Sequence, residues 1–179
     1  MGQKGSVVVV EMRVLPVVWV RAWTELEWPV SWETAFAVRD RLGWEPKPHD
    51  GEMFWTELSV GDEGGVISNF HGRVDDVTIP LTTRVVRGQE DEHTAPRAWA
   101  AYRAYVEALT GLYGPGRQTA DRGIAKTEWV LPNRVTLTII SSDLGGGGDA
   151  VVESPELTAL GEYEEYYIEK YGEDAWFNG

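Results

Sequence analysis

The residues that could act as nucleophiles, bases or metal ligands stand in no catalytic arrangement in this chain. Its three histidines, His49, His71 and His93, are 22 residues apart in predicted turns or loops, so no two have the spacing of a metal site. Ser141 and Ser142 end a predicted strand without the Gly-x-Ser-x-Gly turn of a hydrolase. Cysteine is absent, which excludes thiolate chemistry and disulfides. We therefore predict no catalytic residue, metal or cofactor, and a protein that is not an enzyme.

Four consecutive glycines occupy residues 145–148, between Asp143 and Asp149. A glycine-rich loop that binds phosphate is followed by a helix N-terminus and by a lysine or hydroxyl at fixed spacing. Neither follows here. Because consecutive glycines lose much backbone entropy when they become ordered, we predict that residues 143–150 form a hinge rather than a phosphate site.

Acidic side chains outnumber basic ones by 29 to 16, which gives a net charge of −13 and a pI near 4.6. Nucleic-acid phosphates and anionic membranes carry the same sign of charge, so neither is an expected partner. A cationic protein surface is favoured instead. The charge is concentrated at one end, because residues 149–179 hold nine carboxylates and a single basic residue, Lys170.

This acidic segment has the pattern of an amphipathic helix. Ser154 as N-cap and Pro155 at the first helical position predict where the helix begins. One stripe then carries tyrosines and the opposite stripe carries glutamates, and we expect most of the tyrosines to pack on the sheet. The acidic stripe is either a solvated face or a partner-binding one. The candidate partner-binding residues of this segment are Glu162, Glu165, Glu169, Glu173, Asp174 and Trp176.

Six of the nine tryptophans lie within the first 55 residues. Large aromatic side chains most often build a core from few, bulky pieces. The alternative is a hydrophobic groove or interface near the first predicted helix. Trp23 and Trp28 precede that helix in a predicted loop, so they are the candidates for exposure and partner binding.

The remaining patterns predict an α+β fold with an antiparallel sheet, made of a meander and a hairpin, packed by two or three helices. Ser31 caps a first helix that ends at Gly43. Residues 53–60, 66–70 and 73–81 alternate as a three-stranded meander. Thr94 caps a second helix, which has five apolar residues at steps of three and four. Residues 127–131 and 134–140 then form the hairpin.

We expect four segments along the chain. Residues 1–22 do not have the pattern of a membrane anchor or a signal peptide, because their apolar runs are shorter than the ~20 residues that span a bilayer and no cleavage pattern follows. We expect them to form a leader or edge strands. Residues 23–142 form the core domain, residues 143–150 the hinge, and residues 151–179 an acidic helix packed on the core. Without a membrane or export signal, and without cysteine, a cytoplasmic location is expected.

Three stretches of the sequence carry a family resemblance. They are Glu27-Trp28-Pro29-Val30-Ser31-Trp32, the helix end Leu42-Gly43-Trp44, and Tyr105-Val106-Glu107-Ala108-Leu109 running into Leu112-Tyr113-Gly114-Pro115 before a hairpin with Trp129. Together they resemble a family of small actinobacterial proteins of unknown function, some of them encoded beside secreted polymorphic toxins. The resemblance covers about residues 23–142 and implies an immunity role, but it carries no catalytic residues over.

The charge and the resemblance lead to one hypothesis. Secreted toxins that act on nucleic acid are commonly basic, and an acidic inhibitor associates with them quickly through electrostatic steering. We therefore expect an immunity-type protein that binds and neutralises a basic secreted toxin. A small chaperone or adaptor for a secreted substrate is the first alternative, and a small-molecule binder or enzyme of unknown type is the second.

Overall fold

The computed structural model describes residues 17–59, 63–83, 85, 88–142 and 148–177. The described residues form five helices: α1 (Val17–Thr24), α2 (Trp32–Arg41), α3 (Thr94–Tyr113), α4 (Pro155–Tyr171) and α5 (Glu173–Phe177). They also form eight strands: β1 (Glu45–Lys47), β2 (Asp50–Trp55), β3 (Gly65–Phe70), β4 (Arg73–Pro80), β5 (Arg117–Asp121), β6 (Ile124–Val130), β7 (Thr136–Ser142) and β8 (Gly148–Glu153). The predicted α+β class is confirmed.

All eight strands join one antiparallel sheet in the order β1-β2-β3-β4-β8-β7-β6-β5. The meander β2-β3-β4 and the hairpin β6-β7 form as predicted, except that β2 ends at Trp55, so residues 56–59, which we assigned to this strand, lie outside it. The last strand, β8, lies between β4 and β7 and joins the two halves of the sheet. Its pairs with β4 and β7 include Val77 opposite Val152 and Leu137 opposite Val152.

The hydrophobic core lies on one face of this sheet. Residues directly opposite on neighbouring strands share a face, so Val77, Val152 and Leu137 form one continuous buried row. Helices α1, α2 and α3 contribute buried side chains to the same cluster, among them Val20, Ala35, Val38, Ala101 and Leu109. This face is therefore covered by the first three helices.

Aromatic rings fill the end of the core near β2. Trp44 stacks on Phe54 with ring centroids 4.6 Å apart, and Trp19 and Trp23 pack against Trp44 at 5.2 and 6.3 Å. We call these four residues the tryptophan core. Gly65 makes room for it, because a Cβ there would lie 2.2 Å from the Phe54 ring. The prediction that Trp23 is exposed is wrong: its side chain is 0% exposed, since α1 places it against Trp44.

The N-terminal and hinge predictions need correction where the structure describes them. Residues 17–22, which we assigned to a leader or edge strands, belong to α1, and Trp19 and Val20 are core residues. Residues 1–16 and 143–147 lie outside the described residues. Residues 148–150, assigned to the hinge, are the first half of β8. The short alternation of β8 was hidden because glycines precede it.

Two of the three predicted helix caps are confirmed. Thr94 is instead the first residue of α3, whose N-cap His93 makes no side-chain capping bond, because the Thr94 hydroxyl bonds to Asp91. Ser31 and Ser154 accept the capping hydrogen bonds of Thr34 N–H and Leu157 N–H at 3.1 Å, as predicted. Helix α3 is rotated relative to the prediction. Its buried face is centred on Ala98, Ala101, Tyr105 and Leu109 rather than on the larger Trp99 and Tyr102, because small side chains let the helix approach the sheet.

Candidate functional site

The C-terminal arm, α4 and α5, is joined to the sheet through Ser154. The Ser154 hydroxyl donates to Asp75 Oδ1 at 2.7 Å, and the Ser154 N–H donates to the Asp75 carbonyl at 2.7 Å. The same hydroxyl caps α4 by accepting from Leu157 N–H. Strand β4 therefore fixes the point at which the arm leaves the sheet.

The arm lies over the second face of the sheet, which we call the polar face. Asp76, Glu153 and Thr136 are opposite one another on β4, β8 and β7, so they share this face. The Thr136 and Thr158 hydroxyls are 2.7 Å apart, and Thr158 is the one residue of α4 that is buried. Only the first turn of the arm is thus packed closely.

Ion pairs continue the contact along the arm. Arg117 on β5 reaches both Glu165 of α4, at 3.0 Å, and Glu128 of β6, at 2.8 Å. Arg134 bonds to Glu162 of α4. The glutamate stripe therefore faces the sheet over the first half of α4. The expectation that the tyrosines pack on the sheet is wrong, because this face offers arginines and threonines rather than apolar surface.

The tyrosine stripe instead packs against α5. Trp176 lies 6.1 Å from Tyr163 and 5.6 Å from Tyr167, and Tyr167 lies 4.7 Å from Tyr171, measured between ring centroids. We call these four residues the aromatic cluster. Gly172, at φ 87°, lets the chain turn back between the two helices. The cluster is held together by its own rings and not by the sheet.

Much of this aromatic surface is exposed. Tyr163 and Tyr171 are each 55% exposed, and Phe177 is 72% exposed. Tyr166 and Tyr171 flank Lys170, whose ammonium lies 5.5 and 5.0 Å from their rings. Aromatic side chains that keep one face in water are the residue type that dominates protein interfaces. The arm therefore presents a ready contact surface.

Carboxylates surround the aromatic cluster. The arm carries seven of them: Glu156, Glu162, Glu164, Glu165, Glu169, Glu173 and Asp174. Glu162 and Glu165 are paired with arginines, whereas Glu169 and Glu173 are exposed and form no ion pair within the part of the chain that the structure describes. The outer half of the arm thus combines open rings with negative charge that no neighbour neutralises.

A groove of about 440 Å³ runs between α4 and the polar face. Burial raises the pKa of Glu153, and the charges of Asp76 and Glu128 raise it further. Burial likewise raises the pKa of Asp76, with Asp75 adding to the effect. No three His, Asp or Glu side chains in the described ranges are placed to hold a metal ion. The groove is thus a polar surface with excess negative charge.

None of the described helices is both long enough and apolar enough to cross a bilayer.

The comparison with protein-family models gives one match, over residues 17–145, to a family of unknown function, DUF6301. This chain belongs to that family. The matched region holds the first three helices and every strand but β8, and the DUF6301 match ends before the arm. No curated protein and no solved structure matches the chain.

The predicted site residues fall into three groups. Glu162, Glu165, Glu169, Glu173, Asp174 and Trp176 all lie on the arm, and Trp176 joins the aromatic cluster. Trp28 is half-buried at a separate pocket beside Asp75, and Trp23 is buried in the core.

The sequence reasoning missed Arg117 and Arg134, which orient the arm. Their positive charge in an otherwise acidic protein was the available signal. Which helix face each arginine meets depends on strand pairing, and β5 was not predicted.

Proposed function

We propose that this protein is a non-enzymatic immunity-type protein of the cytoplasm, which binds and neutralises a cationic protein toxin through its C-terminal arm. The observation that carries the proposal is the exposed aromatic cluster bordered by unpaired carboxylates. Arginine and lysine side chains stack on aromatic faces and pair with carboxylates at the same time. A basic protein surface is therefore the partner chemistry that the arm fits.

The two parts of the surface have different roles in this proposal. The net charge of −13 steers a cationic partner toward the protein and raises the association rate, an effect that weakens with salt. Tyr163, Tyr171 and Phe177 supply apolar contact area, which lowers the dissociation rate. Charge-reversal and aromatic substitutions should therefore change different rate constants.

The position of the arm outside the family match supports a specific role for it. Residues 17–145 hold the first three helices and seven of the eight strands, and the arm, which follows β8, is attached to the sheet by a cap and a few polar contacts. An arm that lies outside the family match suits the recognition of a partner particular to this chain. The chaperone alternative relied on an open tryptophan-rich surface, and the burial of Trp23 removes part of that surface.

The test begins with capture of partners on the immobilised full chain at low salt, followed by elution in a salt gradient and mass spectrometry. A captured basic protein is then expressed alone and together with this chain. We expect it to inhibit growth alone and to be harmless when co-expressed. Capture of apolar export substrates that resist salt would instead support the chaperone, and a captured protein without toxicity would contradict the immunity role.

Matched variants connect the rescue to the arm. Reversing Glu169 and Glu173 to lysine should slow association at least ~10-fold at low salt, because both are exposed and contribute to steering. The control reverses Glu92 and Glu107, which are exposed and lie on or beside α3, so that the change in net charge is the same. Equal slowing by both pairs would place the effect in the overall charge and not in the arm.

A further inference from the structure

A second site lies on the other side of the arm's first turn. A pocket of about 230 Å³ opens where β4, the loop before α2 and the start of α4 meet. Its walls include Trp28, Pro29, Arg73, Asp75, Pro155 and Glu156. The volume is below the ~300–1,000 Å³ of pockets for drug-sized ligands. The pocket is therefore of a size for a single side chain or a small molecule.

Asp75 is the informative residue in this wall. It is only 3% exposed, and its Oδ1 accepts from the Ser154 hydroxyl. Its other oxygen, Oδ2, is buried without a hydrogen-bond partner. Buried carboxylate oxygens are nearly always paired, since leaving one unpaired costs free energy. The unpaired oxygen indicates that a donor from outside the chain belongs here.

Trp28 supplies a second unsatisfied group in the same wall. Its Nε1–H is buried and has no acceptor. An indole N–H donates only, so the pocket lacks one donor, for Asp75, and one acceptor, for Trp28. A ligand that satisfies both groups must therefore carry both kinds of atom.

The local charge decides which kind of donor fits. No cation pairs with Asp75 among the described side chains, although Arg73 stands exposed at the same pocket. Glu156 adds a further carboxylate to the wall. A positively charged donor is favoured over a neutral one.

We propose that this pocket binds a basic group, a guanidinium or an ammonium, with a carbonyl or carboxylate acceptor beside it. The cation donates to Asp75 Oδ2 next to Glu156, and the acceptor receives the Trp28 indole N–H. The two prolines and the indole ring give the aliphatic stem of the ligand an apolar surface. An arginine or lysine residue of a protein and a free basic amino acid share this chemistry. The site does not depend on the partner proposed for the arm.

The indole N–H of Trp28 provides a direct probe. In proton–nitrogen correlation spectra of the labelled full chain, its resonance is identified as the one lost in Trp28→Phe. Titration with N-acetyl-arginine amide should shift this resonance saturably. N-acetyl-citrulline amide has nearly the same shape but no charge. It should bind at least ~10-fold more weakly, because it cannot form an ion pair with Asp75. Equal binding of the two compounds would overturn the proposal.

A third titration, with free arginine, identifies the source of the ligand. Tighter binding of the blocked residue indicates a protein segment, and tighter binding of the free amino acid indicates a small molecule. Both results support the site. The absence of a saturable shift with all three compounds would show that the pocket holds only water, and it would overturn the proposal without bearing on the arm.

Asp75→Asn separates binding from structure. Asparagine keeps an oxygen acceptor for the Ser154 hydroxyl but replaces the charged Oδ2 with a neutral amide NH2, which cannot accept from a cation. We expect at least a ~10-fold loss of N-acetyl-arginine amide binding with an unchanged or higher melting temperature, because a buried unpaired charge is removed. A lower melting temperature with unchanged binding would show that Asp75 is purely structural.

Two variants of exposed residues test the pocket without disturbing the fold. Glu156→Gln should weaken binding of the same compound several-fold, and Arg73→Gln should strengthen it because a like charge is removed from the wall. An effect of the opposite sign in either variant would contradict a cation site.

Discussion

Two aromatic clusters of this protein differ in every respect except residue type. The tryptophan core is buried on the covered face of the sheet, and its rings stack between α1 and β2. The aromatic cluster of the arm stands outside the sheet, and its rings contact mainly each other. Both stretches are aromatic-rich in sequence. Their opposite placement follows from what each one meets.

The difference lies in the surface that receives each cluster. The core face offers Phe54, Ile67 and Val77, all fully buried, and apolar burial is worth about 25 cal/mol per Å². The polar face offers Arg117, which pairs with Glu165 of α4, and Thr136, whose hydroxyl contacts that of Thr158. The helix therefore turns Glu162 and Glu165 to the sheet, and its tyrosines face away from it. Aromatic side chains contribute to stability in the first region and to recognition in the second.

The largest expected effect is in the tryptophan core. Trp23→Ala should lower the free energy of unfolding by about 3–5 kcal/mol, because it opens a cavity in a closely packed region. Trp176→Ala is the matched change in the arm and should cost no more than about 1.5 kcal/mol. Urea unfolding of both variants measures the contrast. Similar losses would show that the arm is part of the cooperative core.

The second substitution tests the aromatic cluster itself. Tyr167→Ala removes the ring that contacts both Trp176 and Tyr171, so α5 should detach and partner affinity should fall by about 2 kcal/mol. Tyr166→Ala is the control, since the Tyr166 ring is more exposed than that of Tyr167 and contacts Lys170 rather than Trp176. Hydrogen exchange of residues 173–177 and the dissociation constant measure the two effects. Equal changes in both variants would contradict a role specific to the cluster.

The third prediction concerns the junction between the sheet and the arm. The pKa of Glu153 is raised in the folded state, so ionisation of this carboxyl opposes folding at neutral pH. Glu153→Gln should therefore raise the melting temperature at pH 7, and it should increase the free energy of unfolding by less than about 1 kcal/mol.

The same reasoning fixes its pH dependence. Protonation of Glu153 removes the cost of burying its charge as the pH falls through the raised pKa of the folded state toward the ordinary pKa of 4.5. The stability advantage of the glutamine variant should therefore shrink over that pH range. Thermal melts of both proteins from pH 7 to acid pH measure the difference. A constant difference would show that the charge of Glu153 is not the cause.

The smallest effect is expected at the ion pairs of the arm. Arg117→Gln removes the bonds to Glu128 and Glu165, which are largely exposed and together contribute no more than about 0.5 kcal/mol. Amide exchange in α4 should become faster, and the difference from the unsubstituted protein should vanish in high salt. The tryptophan core should show no such salt dependence, and a loss that persists in high salt would contradict an ionic attachment.

The fold was predictable wherever the signal is local. Ser31 and Ser154 cap helices, and Pro155 begins one because the first helical position needs no backbone N–H donor. The alternation in β3 and β4 marks a buried core face. In β7 the alternation predicts the strand but not its second buried face, because Thr136 and Thr138 are also buried. Strands β1, β5 and β8 were missed because they are short or carry no alternation, and they are held by pairing with strands far away in sequence.

The candidate site was predictable in its location but not in its orientation. The charge pattern placed it on residues 155–177, and the helical period separated tyrosines from glutamates. Which stripe meets the sheet depends on the side chains of the opposing face, and Arg117 reaches that face only through the pairing of β5 with β6. The pocket at Asp75 likewise depends on contacts between β4 and α4 that no local pattern contains.

The central position of β8 also sets the order in which the protein assembles during synthesis. Strands β4 and β7 leave the ribosome before the strand that joins them, so each waits with an unpaired edge until residue 153 has been made. Unpaired edges associate with those of other chains. A fragment cut at residue 145, where the family match ends, would keep both edges open and should aggregate, whereas the nascent chain is protected once its last strand arrives.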